Sequence, residues 1–275
     1  MDKNITIQGI PVFYRDLGTG AVIVILHGWG SRANNWRAVQ NDLAERGFRA
    51  IVPDMPGFGE TPPPSEPWDI YQYTEFVYEF IQSLGLQDFT LVGHSFGGRI
   101  AIIYGAKHGE NVSTLILCDA AGVVRRHTVR TRMFLITTKI GNVIFAVPPL
   151  HFLKPIVRNL WYKFTLERDY YKTDGVMRET FKKVINENLR KYVRHITLPT
   201  LILWGENDRA TPLADAYIIQ KEVADSRLHV FPERGHAINL EVPHEMAQTM
   251  AEFIAQHKNN NLKSQMANLK TESQI

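Results

Sequence analysis

Cysteine is almost absent from this chain of 275 residues. The single cysteine, Cys118, excludes an internal disulfide and fits a reducing compartment. No apolar run approaches the roughly 20 residues that a membrane-spanning helix requires. The polar segment 1–9 leads directly into a predicted strand, so we expect no signal peptide. Together these features predict a cytoplasmic protein without a transmembrane segment.

The chain also lacks a strong excess of one charge, with a formal net charge of +3, but its charges are unevenly distributed. Residues 122–196 contain 16 Lys/Arg and 5 Asp/Glu, whereas the remainder contains 15 and 23. Such asymmetry often marks a separate structural unit. No nucleic-acid-binding module is recognisable, and docking of the basic segment on the acidic remainder would account for its charge. We therefore expect no nucleic-acid partner.

Strands and helices alternate through most of the sequence. The predicted strands are 5–8, 12–16, 22–26, 50–52, 89–92, 113–118, 200–204 and 228–231. The predicted helices between them are 36–46, 71–84, 99–107, 213–223 and 244–257. This alternation predicts right-handed βαβ units and a doubly wound, mostly parallel sheet of the α/β class, covered by helices on both faces.

The alternation is interrupted between residues 122 and 196, where only helical stretches such as 129–144 and 174–193 are predicted. We therefore predict a core formed by 1–121 and 197–257, with 122–196 as a helical insertion. The last segment, 258–275, is rich in Asn, Gln, Lys and Ser, a composition that predicts a disordered or frayed tail.

The sequence Gly93-His94-Ser95-Phe96-Gly97-Gly98 follows a predicted buried strand and precedes a helix. In such a setting G-x-S-x-G forms a turn so tight that side chains at 93 and 97 would collide with neighbouring backbone. The turn presents Ser95 above the sheet edge, at the positive end of the next helix. A flexible glycine-serine turn is the alternative, but the flanking strand and helix favour a nucleophile.

This segment resembles the nucleophile elbow of the α/β-hydrolase family, and the resemblance covers nearly the whole chain. Further matching segments are His27-Gly28-Trp29-Gly30, Asp54-Met55-Pro56-Gly57-Phe58-Gly59, Trp204-Gly205-Glu206-Asn207-Asp208 and Gly235-His236, all in the family's order. The resemblance implies the α/β-hydrolase fold, with residues 122–196 as a helical cap over the active site. It implies neither a metal nor an organic cofactor.

A serine hydroxyl requires a neighbouring base, and His236 is the best candidate. It lies in a glycine-hinged loop after the last predicted strand, and the crevice of an open parallel sheet lies beyond the strand ends. His94 adjoins Ser95, but on so sharp a turn we expect its side chain to point elsewhere. Four other histidines fall on predicted helices or within strands, where packing or surface roles are favoured: His108, His229, His244 and His257.

The third catalytic group must accept a hydrogen bond from the imidazole. Asp208 is our choice, since the order Ser95, Asp208, His236 agrees with the family's Ser…Asp…His order. Asp119 is the rival, because some family members take their acid from the end of that earlier strand; a turn aspartate is its structural alternative. Glu206 is a third possibility.

Acyl transfer also needs hydrogen-bond donors for the developing oxyanion, each contributing roughly 3–4 kcal/mol. The backbone N–H of Phe96 supplies one by geometry, and the resemblance implies Trp29 for the second, although a plain tight turn at 28–30 is the alternative. The side chains of Trp29, Phe96 and Phe134 are predicted to line the substrate pocket. We predict a structural turn, not a catalytic role, at Asp54.

The residue at position 95 separates branches of the family. The resemblance implies aspartate there in dehalogenases and epoxide hydrolases, so Ser95 favours cleavage of a small carboxylic ester through an acyl-enzyme. The substrate would be a small-molecule ester or related carbonyl compound, and no cofactor is needed. C–C hydrolysis of ring-cleavage diketones is an alternative, although Ala237 replaces the tryptophan usual in those enzymes. A ligand-sensing protein with weak turnover is another.

The basic, aromatic cap allows a further hypothesis about the substrate. Its positive charge either offsets the acidic core or receives an anionic ligand or lipid surface. Arg125, Arg126, Arg130 and Arg132 would then be the binding residues. A homodimer formed through the caps is also possible from the sequence.

Overall fold

The computed structural model describes residues 1–123 and 175–272, with side chains as far as Lys258. Its strands are β1 (Asp2–Ile7), β2 (Ile10–Gly18), β3 (Ala21–Leu26), β4 (Phe48–Pro53), β5 (Phe89–His94), β6 (Val112–Cys118), β7 (Thr200–Gly205) and β8 (Ser226–Phe231). They form one sheet of eight strands in the order β1-β2-β4-β3-β5-β6-β7-β8. The pairs β1·β2 and β2·β4 are antiparallel, and the other five pairs are parallel. The predicted α/β class and mostly parallel sheet are confirmed.

The helices of the described residues are α1 (Arg37–Glu45), α2 (Ile70–Ser83), α3 (Phe96–Lys107), α4 (Gly175–Asn186), α5 (Arg190–Val193), α6 (Ala214–Glu222), α7 (Ile238–Glu241) and α8 (Pro243–Glu272). None of them is long and apolar enough to cross a membrane. The helix predicted over 174–193 is divided into α4 and α5, and carbonyls at the end of α4 accept hydrogen bonds from a side chain of α3.

Alternate side chains of each central strand pack into separate hydrophobic clusters. In β3, Val24 and Leu26 belong to the cluster that includes residues of α2 and α3, whereas Ile23 and Ile25 belong to the cluster with residues of α1 and α8. Successive side chains of a strand point to opposite faces, so an unbroken apolar strand requires helices on both sides. The doubly wound arrangement follows from this requirement.

The functional loops lie where the strand order reverses. From β3 the chain crosses to β4 on one side of the sheet and then returns to β5 on the other. The loops that follow β3 and β5 therefore separate at the carboxyl edge, which leaves a crevice suited to a ligand. Trp29 follows β3 and Ser95 follows β5, so both lie at this switch point.

The end of the chain differs from the sequence prediction of a disordered or frayed tail over 258–275. Helix α8 continues through this segment to Glu272. No glycine or proline occurs after Pro243, and the segment contains Ala, Leu, Lys, Gln and Met, which are good helix formers. The composition of the segment is therefore compatible with a continued helix.

A buried arginine attaches α4 to the core. The guanidinium of Arg99, in α3, donates hydrogen bonds to the carbonyls of Val184 and Glu187 at 3.1 Å and of Ile185 at 3.4 Å. Burial lowers the pKa of Arg99 to about 10, so the side chain stays charged at neutral pH. A cation at a helix C-terminus also interacts favourably with the helix dipole. Arg99 thus fixes the described part of the predicted cap segment on the sheet domain.

We expect Arg99→Met to lower the free energy of unfolding by on the order of 2–3 kcal/mol, because carbonyls that it binds would lose their charged donor. Urea unfolding of the purified protein measures this loss. Lys183→Met is the matched control, since Lys183 is exposed and donates a hydrogen bond of 2.7 Å to the carbonyl of Pro67. Equal urea midpoints for the two variants would contradict the assignment.

Candidate active site

Ser95 lies at the turn between β5 and α3 in a strained backbone conformation, with φ of 51°. A Cβ at Gly97 would lie 2.1 Å from the carbonyl oxygen of Leu26, and one at Gly93 would lie 2.5 Å from that of Gly97. Both glycines are therefore required by close backbone approach, as the sequence predicts. The turn is held by hydrogen bonds, among them Ser95 N–H to the carbonyl of Cys118 at 3.1 Å.

The three residues predicted as a catalytic triad form a chain of contacts through His236. Ser95 Oγ lies 2.9 Å from His236 Nε2, and His236 Nδ1 lies 2.7 Å from Asp208 Oδ2. An ionised carboxylate only accepts hydrogen bonds, so Nδ1 carries the imidazole proton and Nε2 is free to accept from the serine hydroxyl. This geometry is the one that a nucleophile, a base and an orienting acid require.

Asp208 is held by a turn that was not predicted from the sequence. Its Oδ1 accepts the backbone N–H groups of Ala210 at 2.7 Å and Thr211 at 3.0 Å, and its Oδ2 accepts the Thr211 hydroxyl at 2.6 Å. Burial alone would raise the pKa of Asp208, but its bonds with His236 and Thr211 and the charge of His236 hold that pKa below its ordinary value. The pattern Asp-x-x-Thr at 208–211 could have predicted this turn, because an aspartate side chain often accepts backbone N–H groups two and three residues further along the chain.

The two rival acids have other partners. Asp119 is fully buried, and its Oδ1 accepts the backbone N–H of Gly205 at 2.9 Å. Burial raises the pKa of Asp119 to about 9, so at neutral pH it is a carboxylic acid without charge. Glu206 is exposed, and its Oε2 accepts the backbone N–H of Glu233 at 2.9 Å. Asp208 is therefore the acid that contacts His236 Nδ1.

Close approach of two loops brings Asp208 to His236. The backbone N–H of Asn207 donates to the carbonyl of Arg234 at 2.8 Å, which joins the loops after β7 and β8. A Cβ at Gly205 would lie 2.1 Å from the carbonyl oxygen of Gly235. Glycine at position 205 is thus needed for the acid and the base to meet.

The side chain of His94 was predicted to point away from the site, and this prediction was wrong. Its Nε2 lies 2.8 Å from the carbonyl oxygen of His236, and the two imidazole rings lie 5.1 Å apart between centroids. The two residues meet because the loop after β8 folds back over the end of β5. The order of strands in the sheet does not by itself predict this contact.

The loop proposed to supply one oxyanion donor is fixed by His27. Its Nε2 accepts the backbone N–H of Met55 at 3.0 Å, so its Nδ1 carries the proton and donates to the carbonyl of Gly28 at 2.8 Å. Burial lowers the pKa of His27, which keeps the ring neutral. Phe96 is the first residue of α3, so its N–H has no carbonyl partner within the helix. The oxyanion roles of Trp29 and Phe96 stay predictions.

Aromatic side chains surround Trp29 beside the nucleophile. Its ring lies 4.8 Å from that of Phe58, 5.3 Å from that of Phe96 and 5.0 Å from that of Phe181. Neither Phe58 nor Phe181 was predicted to line the pocket: Phe58 lies in the segment 54–59, which was interpreted as a structural turn, and Phe181 lies in α4, far from the motifs. Phe134 and the four arginines of the cap hypothesis lie outside the described residues.

Asp54 has the structural role predicted for it. Its Oδ1 accepts the backbone N–H of Ala33 at 2.5 Å, and its Oδ2 accepts that of Glu60 at 2.8 Å. A Cβ at Gly59 would lie 1.9 Å from Asp54 Oδ2, so the carboxylate fills the space beside that glycine. These bonds join the turn after β4 to the loop after β3.

Three residues at this site carry atoms that could bind a metal ion. Single ligand atoms of His94, Asp119 and His236 lie within 4.8 Å of one another. Metal ligation needs deprotonated ligands with available lone pairs. Both ring nitrogens of His236 already bind Asp208 and Ser95, so ligation through this residue would break the hydrogen bonds of the triad.

Comparisons with known proteins agree on the fold. A family model described as alpha/beta hydrolase fold matches residues 21–243. The chain is 30% identical over 265 residues to the AB hydrolase superfamily protein YisY of Bacillus subtilis, covering 90% of this chain and 97% of that protein. It is 28% identical over 268 residues to the 2-hydroxy-6-oxo-2,4-heptadienoate hydrolase of Pseudomonas putida, covering 90% and 94%. The structure of an esterase from Exiguobacterium antarcticum superposes with a TM-score of 0.72 at 29% identity, covering 93% and 100%.

Proposed function

The chain belongs to the α/β-hydrolase fold family, and we propose that it is a serine hydrolase that cleaves small carboxylic esters. One observation carries the proposal: the chain of hydrogen bonds from Ser95 Oγ through His236 to Asp208, at the carboxyl ends of the strands. A dehalogenase-type nucleophile would need a carboxylate at position 95. With a serine there, the acyl-enzyme intermediate is an ester of Ser95.

In the proposed reaction, Ser95 Oγ attacks the ester carbonyl while His236 Nε2 takes its proton. The oxyanion then receives hydrogen bonds from the backbone N–H groups of Trp29 and Phe96. Asp208 holds Nδ1 of His236 and stabilises the imidazolium. His236 returns the proton to the leaving alcohol, and a water activated by the same histidine releases the acid and restores Ser95.

C–C bond hydrolysis is a second candidate, favoured by a specific finding. Among the similar proteins is the 2-hydroxy-6-oxo-2,4-heptadienoate hydrolase of Pseudomonas putida. A dienoate substrate carries a carboxylate, so this reaction would call for a cationic partner in the pocket. Four arginines of the predicted cap, which lie outside the described residues, have the required charge, so the carboxylate does not separate the two reactions. Ala237 follows the base where ring-cleavage hydrolases usually carry a tryptophan, and this departure leads us to prefer the ester.

Parallel assays with two substrate classes test the proposal. We expect turnover of p-nitrophenyl acetate and butyrate, release of p-nitrophenolate being followed by absorbance, and little turnover of the dodecanoate. A 2-hydroxy-6-oxo-hexa-2,4-dienoate, followed by loss of its own absorbance, should be stable. Fast loss of the dienoate with slow ester hydrolysis would transfer the assignment to C–C hydrolysis. Turnover of neither would leave a ligand-sensing role for this fold.

A further inference from the structure

The contact between His94 and His236 joins two parts of the site that are far apart in sequence. His94 ends β5 and directly precedes Ser95, whereas His236 lies in the loop after β8. The bond runs from the His94 ring to the backbone carbonyl of His236, at 2.8 Å, and not to its side chain. His94 therefore does not take part in the proton relay itself.

The protonation of His94 follows from its partners. A carbonyl oxygen only accepts, so His94 Nε2 carries a proton and donates it. Burial, followed by the charge of His236, lowers the pKa of His94 to about 3. The ring is thus neutral with one proton, and Nδ1 has none. Among the described residues Nδ1 has no hydrogen-bond partner.

The His94 ring has little room to reorient. A Cβ at Gly28 would lie only 2.9 Å from His94 Nδ1, so the ring packs closely on the loop after β3. The ring of Trp36 lies edge-on at 5.9 Å. A donor held this firmly fixes the position of the carbonyl that it binds.

The His236 side chain needs such a support. It is 30% exposed and extends from a short loop. In that loop Glu233, three residues before His236, has a φ of 60°. Its distance of 2.9 Å from Ser95 Oγ must be kept for proton transfer. Fixing the backbone carbonyl of residue 236 limits rotation of the whole residue relative to the elbow.

We propose that His94 is a positioning residue, which holds the backbone of His236 so that its imidazole stays within hydrogen-bonding distance of Ser95. The proposal rests on the serine-hydrolase function proposed above. Because the contact involves neither substrate nor reacting atoms, it should affect the rate of proton transfer and not the binding of the ester.

Two variants with polar side chains test this role. In His94→Gln the amide nitrogen is as many bonds from Cα as Nε2, so the donor to the carbonyl is kept. In His94→Asn the side chain is too short to reach it. We expect His94→Asn to lower kcat for p-nitrophenyl butyrate by about 10²-fold, the cost of misplacing a catalytic group by about 1 Å, with KM unchanged. We expect His94→Gln to recover most of this loss.

A second readout is independent of the substrate. A fluorophosphonate reacts with an activated serine by loss of fluoride, and its rate with Ser95 should fall in His94→Asn as kcat does. Thermal unfolding is measured for every variant, and His94→Met, which fills the space without a donor, replaces the Asn variant if that variant does not fold. Any of three results would overturn the proposal. They are wild-type rates in the donor-free variant, equal losses in the Gln and donor-free variants, and a change confined to KM.

The two hypotheses fail in different ways in this experiment. The wild-type rates of ester hydrolysis and phosphonylation test the serine-hydrolase function. The ratio between variant and wild type tests His94. Normal phosphonylation of the wild type with slow ester hydrolysis, for example, would refute the ester but leave the ratio measurable.

Discussion

Replacing Ser95 with alanine is expected to lower kcat for p-nitrophenyl esters by about 10⁶-fold, the loss found when the nucleophile of a serine protease is removed. The reason is that Ser95 Oγ lies 2.9 Å from His236 Nε2, where it can form the covalent intermediate. Residual hydrolysis would come from the oxyanion donors and from solvent water. Steady-state assays of purified wild type and variant measure the ratio.

The folded structure should tolerate this change. Alanine keeps the Cβ, so the strained turn with φ of 51° is neither relieved nor worsened. Thermal unfolding of Ser95→Ala should therefore match wild type, as should that of Ser83→Ala, an exposed serine at the end of α2. Ser83→Ala should keep full activity. Substantial ester hydrolysis by Ser95→Ala would refute the nucleophile.

A pair of substitutions distinguishes the two buried aspartates. Asp208→Asn is expected to lower kcat by about 10⁴-fold, as in serine proteases, because an amide at this position favours the wrong tautomer of the base. Asp119→Asn should leave kcat close to that of wild type. Since the pKa of Asp119 is raised by burial to about 9, its native form is a neutral carboxylic acid, which asparagine replaces with little change of shape or charge.

The same assay and the same panel of esters serve for both aspartates. Asparagine at 119 can still accept the backbone N–H of Gly205 through its carbonyl oxygen, so the local fold should be kept. A large loss of kcat in Asp119→Asn, with a small one in Asp208→Asn, would exchange the roles of the two residues. Losses of equal size would mean that the pair acts as a unit.

Local patterns were enough to predict the core of the fold and most candidate residues. The β-branched runs and the glycines that end helices predicted the alternation of strands and helices. The elbow glycines, Gly93 and Gly97, followed from sterics alone, because a tight turn excludes side chains there. Helix α8 was underestimated, since a polar composition predicts exposure but does not by itself prevent a helix from propagating.

The contact between acid and base depended on tertiary structure. Sequence placed Asp119, Glu206 and Asp208 at the same edge of the sheet, and only the family's Ser…Asp…His order favoured Asp208. The packing of the loop after β8 against Gly205 decided it, by placing His236 Nδ1 next to Asp208 Oδ2 at 2.7 Å. Contacts between loops that follow different strands depend on the sheet order, which no local pattern encodes.

The sequence by itself determined the α/β class, the elbow with Ser95 and the position of His236 after the last strand, because each depends on residues close together in the chain. Only the tertiary structure decided which carboxylate contacts the base, that Asp119 is buried, and that the His94 ring binds the backbone carbonyl of His236. These properties arise from burial and from contacts between distant segments. Such contacts form only in the folded chain, so they cannot be deduced from residues that are adjacent in sequence.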